Sequence, residues 1–141
     1  MFKPTTKFLI ADDFGTMRKI LKKALADVGY TNTVEAIDGA NAYQLLVEHS
    51  KTDAPIDFII SDWNMPNMLG IELLKRCRAE ATFKHLPFML VTAESEQAQI
   101  IEAVKAGVTD YVVKPFSPAM IKAKLEHAYK KVNATTQARV A

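Results

Sequence analysis

Phe8-Leu9-Ile10-Ala11-Asp12-Asp13 joins four apolar residues to two adjacent acids, and Phe58-Ile59-Ile60-Ser61-Asp62 repeats the design later in the chain. Apolar runs this short, closed by charge, predict buried strands, the first over about 7–11. Between them, Met17, Ile20, Leu21, Ala24, Leu25 and Val28 recur at helical spacing, interleaved with Arg18, Lys19, Lys22 and Lys23, and Gly29 ends that helix. A weaker strand is expected at Thr33–Ala36, with Asp38-Gly39 as a turn. Ala42, Leu45, Leu46 and His49 then mark a second helix before the polar loop Ser50–Pro55.

The alternation continues past Asp62. Ile71, Leu73, Leu74 and Cys77 predict a helix after Gly70, and Pro87 opens a strand at Phe88–Val91. Ile100, Ile101, Val104 and Lys105 predict a helix ending at Gly107. Tyr111-Val112-Val113 is a last strand, stopped by Lys114-Pro115. Met120, Ile121, Leu125, Ala128 and Val132 predict the final helix, after which residues 132–141 are expected to fray. Five strands alternating with five helices predict an α/β fold. Each crossover returns over the sheet with right-handed sense, which gives a parallel sheet with helices on both faces.

Composition narrows the class. A chain of 141 residues is one domain, and 49% hydrophobic with 24% charged residues is globular. Eighteen basic against sixteen acidic residues leave +2, so no nucleic-acid partner is expected. The lone Cys77 excludes an internal disulfide and a multi-cysteine zinc site. No apolar run reaches the roughly 18–20 residues of a membrane span, and Met1–Thr5 lacks the apolar stretch of a secretory signal. A cytoplasmic monomer with no membrane partner is expected.

The strand ends carry the chemistry. Asp12-Asp13, Asp62 and Lys114 close three strands, and the hydroxyl of Thr92 closes a fourth. In an open α/β sheet those ends share one edge, where ligands bind. A single Asp after a strand is most simply a helix cap, but three with a lysine and a hydroxyl are more than caps require. Three carboxylates and one ammonium sum to −2, which a divalent cation would cancel. Hard oxygen donors with room for water suit Mg²⁺. Asp62 is then placed to attack phosphorus, with Lys114 and Thr92 facing the phosphoryl oxygens.

Ala11-Asp12-Asp13-Phe14, Thr16-Met17-Arg18, Ser61-Asp62-Trp63-Asn64-Met65-Pro66-Asn67-Met68, Val91-Thr92-Ala93-Glu94 and Tyr111-Val112-Val113-Lys114-Pro115-Phe116 resemble the response-regulator receiver domains, and among them the chemotaxis regulators, over residues 6–131. The resemblance implies a flavodoxin-like (βα)5 fold with strand order 2-1-3-4-5. It implies that Asp62 is the phosphoacceptor and that Asp12, Asp13, Asp62 and the backbone carbonyl of Asn64 hold Mg²⁺. Lys114 and Thr92 would contact the phosphoryl group, Tyr111 would switch inward, and Asn64 and Glu94 would set the dephosphorylation rate. The implied activity is a two-component switch rather than a turnover enzyme: the protein assists its own phosphorylation and dephosphorylation. The implied partners are a chemotaxis-type histidine kinase, a flagellar motor switch protein and a phosphatase.

The motor partner would dock on Ile100, Tyr111 and Val113 with Lys124 at the rim, where Glu96 and Gln97 stand in place of the basic residues of chemotaxis relatives. Leu69 likewise stands where the family usually has a polar residue. A non-motor receiver, acting as phosphate sink or relay, shares all of the chemistry and is the alternative. Two other classes fit less well. A haloacid dehalogenase-type phosphatase needs a second Asp where this chain has Asn64, and a flavodoxin needs a Ser/Thr/Gly-rich loop where it has Asp12-Asp13-Phe14. No recognition-helix module follows in these residues, so a transcription factor is not expected.

Overall fold

The computed structural model describes residues 1–93 and 97–140, with side chains through 134. Ten elements alternate along the chain: β1 (Phe8–Ala11), α1 (Gly15–Val28), β2 (Thr33–Ala36), α2 (Gly39–Ser50), β3 (Phe58–Asp62), α3 (Gly70–Ala79), β4 (Phe88–Thr92), α4 (Gln97–Lys105), β5 (Asp110–Val113) and α5 (Pro118–Val140). The strands form one parallel sheet in the order β2-β1-β3-β4-β5. This is the expected flavodoxin-like arrangement.

Side-chain alternation divides the core in two. Phe8, Ile10, Phe58, Ile60, Met89, Val91 and Val112 face one side and pack with Leu21, Ala24 and Leu25 of α1 and Ile121, Leu125 and Ala128 of α5. Leu9, Ala11, Ile59, Phe88 and Leu90 face the other, against Ala42 and Leu46 of α2, Ile71, Leu73, Leu74 and Cys77 of α3, and Ala103 of α4. β1, β3 and β4 are buried along their whole length, as a sheet covered on both faces requires.

Two local expectations are corrected. Asp38-Gly39 is a helix start rather than a turn: Asp38 is extended and its carboxylate accepts from the Asn41 amide at 2.7 Å, the N-cap of α2. β5 begins at Asp110, one residue before the apolar run, because Asp110 pairs in register with Met89. The α5 backbone is helical to Val140, beyond the Val132 at which the apolar spacing ends. No glycine or proline interrupts residues 133–140, so local propensity continues the helix where burial no longer drives it. Gly29 does end α1 as expected, in the left-handed conformation at φ 106°.

Register fixes the functional edge. Ala11 is paired with Ser61, so Asp12 and Asp62 leave the sheet at the same level. Asp62 pairs with Val91 and Thr92 with Val113, which brings Thr92 and Lys114 to that same edge.

Candidate functional site

Carboxylate oxygens of Asp12, Asp13 and Asp62 lie within 4.8 Å of one another. Asp12 and Asp62 are buried and Asp13 is exposed, so the cluster opens to solvent on one side. One Asp12 oxygen, Oδ1, accepts from the Phe14 amide at 2.9 Å, and Arg18 donates to the Asp12 carbonyl at 2.7 Å. The other, Oδ2, is buried with no hydrogen-bond partner among the described residues. The Lys114 ammonium donates to Asp62 Oδ1 at 3.3 Å and stands 4.0 Å from Asp12 Oδ2.

One ammonium does not balance three carboxylates. Burial pushes the Asp12 carboxyl above its ordinary range, and the charges of Asp62 and Asp13 push the same way against the Phe14 amide and Lys114. Burial also raises Asp62, partly offset by Lys114 and by the backbone amides of Trp63 and Asn64. An orphaned buried carboxylate oxygen inside an all-oxygen acidic cluster fits a hard divalent cation. Asp12, Asp13 and Asp62 are the side chains that could hold it.

The β3–α3 loop is pinned at several points. Asn67 adopts a positive φ of 67°, and its side-chain amide donates to Asp38 Oδ2 at 2.7 Å, which ties the loop to the N-terminus of α2. Gly70 begins α3 against the carbonyl of Asp62, which leaves no room for a Cβ. Leu69, the N-cap residue, offers no side-chain acceptor to the helix, although its own amide donates to the Glu72 carboxylate at 3.3 Å.

The remaining expected residues are dispersed around this centre. The Thr92 hydroxyl donates to the Gln99 side chain at 3.2 Å, joining the end of β4 to α4. Tyr111 is half-buried in a recess it shares with Thr92, Gln99 and Ile100, and the Lys124 ammonium sits 4.9 Å from its ring centroid. Val113 is half-buried, and the Asn64 side chain is exposed. Glu94 and Glu96 lie outside the described residues. Sequence reasoning gave no role at the site to Gln99, Asn67, Asp38 or Gly70. A glycine immediately before the apolar stripe of α3 was the available signal for the last.

Comparison with known proteins gives this edge its context. Residues 8–126 match the response regulator receiver domain. The chain belongs to that family. Over 127 residues this receiver is 52% identical to the chemotaxis protein CheY of Pseudomonas aeruginosa, covering 90% of the chain and 98% of the relative. It is 50% identical to CheY-3 of Vibrio cholerae over 126 residues, covering 89% and 93% of the two chains. The solved structure of V. cholerae CheY4 aligns with a TM-score of 0.75 at 33% identity, over 87% of this receiver and 98% of that chain. Among the described residues no helix is long and apolar enough to cross a membrane.

Proposed function

We propose that this receiver is a phosphorylation-dependent chemotaxis switch that accepts a phosphoryl group on Asp62. The observation that carries the reading is the Asp62 carboxylate, buried beside Asp12 and Asp13 and ion-paired to Lys114 at 3.3 Å. Its likeness to chemotaxis proteins at about 50% identity supports the choice of pathway.

An Asp62 oxygen attacks the phosphorus of a histidine kinase's phosphohistidine. The O–P bond forms as the P–N bond breaks, and its electrons leave on the imidazole nitrogen. Asp12, Asp13, Asp62 and the Asn64 carbonyl would hold Mg²⁺, which when bound supplies positive charge to the transferring oxygens. Lys114, already on Asp62, neutralises a further oxygen. The Thr92 hydroxyl leaves Gln99 to donate to the phosphoryl group, and Tyr111 moves inward toward the recess they share. Water attack on phosphorus then returns the carboxylate and releases inorganic phosphate, with Asn64 and Glu94 beside its path. The protein assists both steps on itself and turns over no separate substrate.

The output surface in this reading is α4, β5 and α5. Ile100, Tyr111 and Val113 form an apolar floor for an amphipathic helix of the flagellar motor switch protein, with Lys124 at its rim. The receiver works as a cytoplasmic monomer between a chemotaxis histidine kinase, that motor protein and a phosphatase. Glu96 and Gln97 weaken attraction for an acidic peptide, which keeps a phosphate sink as the second reading. A pull-down against the motor protein's N-terminal segment decides between them. Retention of the beryllofluoride-activated form, and not of the unactivated form, supports the switch. Retention of neither form supports the sink.

A further inference from the structure

Asp110 opens β5, the strand at one edge of the sheet, and is buried although it lies outside the acidic cluster. Strands disfavour aspartate, and a buried carboxylate needs donors. Three are present. Oδ1 accepts from the Tyr111 amide at 2.8 Å and from the Lys124 ammonium at 3.3 Å, and Oδ2 accepts from His127 Nδ1 at 2.6 Å. Lys124 and His127 stand three residues apart on α5, so one face of that helix supplies both.

Pinning α5 to the edge strand would account for those bonds alone. Lys124 makes a further contact that pinning does not need. Its ammonium lies over the Tyr111 ring, 4.9 Å from the centroid, where the face of the π system attracts a cation. Neighbouring residues of a strand point to opposite faces, so Asp110 and Tyr111 flank β5, and no strand lies beyond it. Lys124 spans the two across that free edge.

We infer, on the reading that Tyr111 moves inward when Asp62 is phosphorylated, that Asp110 is a positioning residue of the output face. Its carboxylate holds the Lys124 ammonium against the Tyr111 ring, and inward movement of the ring breaks that contact. The contact therefore restrains the tyrosine in its resting position. Lys124 is also the rim cation of the proposed partner surface, so the restraint and the charge offered to a partner reside in one group. A cation–π contact at a partly exposed site changes a two-state ratio by about two- to fivefold. Removing the Asp110 charge is expected to raise the ratio of inward to resting Tyr111 by about that factor in the unactivated protein.

NMR on the intact protein tests this, with the Lys124 ε-methylene reporting the ring current and fluorotyrosine at Tyr111 reporting the ring's surroundings. In wild type the methylene is expected upfield of those of exposed lysines. Asp110→Asn keeps the side chain's size and an acceptor for the Tyr111 amide. It should return the methylene toward the ordinary position and move the Tyr111 fluorine signal part of the way to its beryllofluoride-activated position. Lys124→Met leaves Asp110 bonded to Tyr111 and His127; it should move the fluorine signal the same way, and it serves should Asp110→Asn fail to fold. Lys124→Arg retains a cation for both contacts and should keep the wild-type signal. A methylene at the ordinary position in wild type, or one that Asp110→Asn leaves upfield, would overturn the tether. A fluorine signal that neither Asp110→Asn nor Lys124→Met moves would overturn the restraint. Release of Lys124 by Asp110→Asn, with no response of wild-type Tyr111 to beryllofluoride, would support the positioning by Asp110 and contradict the inward movement in the proposed function instead.

Discussion

Gly70 lies against Asp62 so closely that a Cβ on the glycine would collide with the aspartate's carbonyl oxygen. The Gly70 amide donates to the Trp63 carbonyl at 2.8 Å, which closes the β3–α3 loop onto the end of its own strand. The residue that starts α3 therefore holds the backbone of the proposed phosphoacceptor.

Gly70→Ala is expected to force that backbone apart, at a cost on the order of 2 kcal/mol, as overpacking against a fixed main chain implies. Urea unfolding should show the loss, and labelling by acetyl phosphate should fall with it. An alanine variant of wild-type stability would mean that the contact is not tight.

Leu69 caps α3 without a side-chain acceptor, although its extended backbone is already that of an N-cap. Leu69→Asn is expected to stabilise the protein by about 1 kcal/mol by supplying the missing acceptor. A higher urea midpoint at unchanged slope is the result to look for. No gain would indicate that the Leu69 side chain contributes packing equal to a cap.

Asp12 and Asp62 have carboxyl pKa values raised chiefly by burial. A carboxyl with a higher pKa folded than unfolded favours the fold when protonated, in acid below its unfolded value. That contribution is lost as pH rises through the folded value, so at neutral pH both groups weigh against folding. In EDTA, Asp12→Asn is expected to be more stable than wild type at neutral pH, with the advantage shrinking toward acid. Adding Mg²⁺ should stabilise wild type and do little for the variant. Denaturation midpoints at neutral and acid pH, with and without the metal, check each part. A destabilised Asp12→Asn in EDTA would contradict the charge argument.

Trp63 is the protein's one tryptophan, is buried, and is bonded to Asp62 in the chain. Its fluorescence is expected to change saturably with Mg²⁺ and to stop responding in Asp13→Ala. An equal response in both proteins would remove Asp13 from the metal site.

The fold was legible because β1, β3 and β4 are short apolar runs closed by charged or hydroxyl residues, a pattern that a doubly covered parallel sheet imposes. The acidic edge was legible for the same reason, since parallel strands bring their carboxyl ends together. Asp38 was misread because an Asp-Gly pair is as good a turn as a helix start, and the capping bond to Asn41 decides between them. The Asn67–Asp38 and Thr92–Gln99 pairs join side chains whose partners only tertiary packing selects.

Phosphorylation of Asp62 is the claim on which the rest depends. Incubating the protein with acetyl phosphate and Mg²⁺ and mapping the labile phosphoryl group by mass spectrometry after borohydride trapping tests it directly. One modification on Asp62 is predicted, dependent on Mg²⁺ and absent from Asp62→Asn. Equal labelling of Asp62→Asn and wild type, or a modification mapped to any other residue, would contradict it.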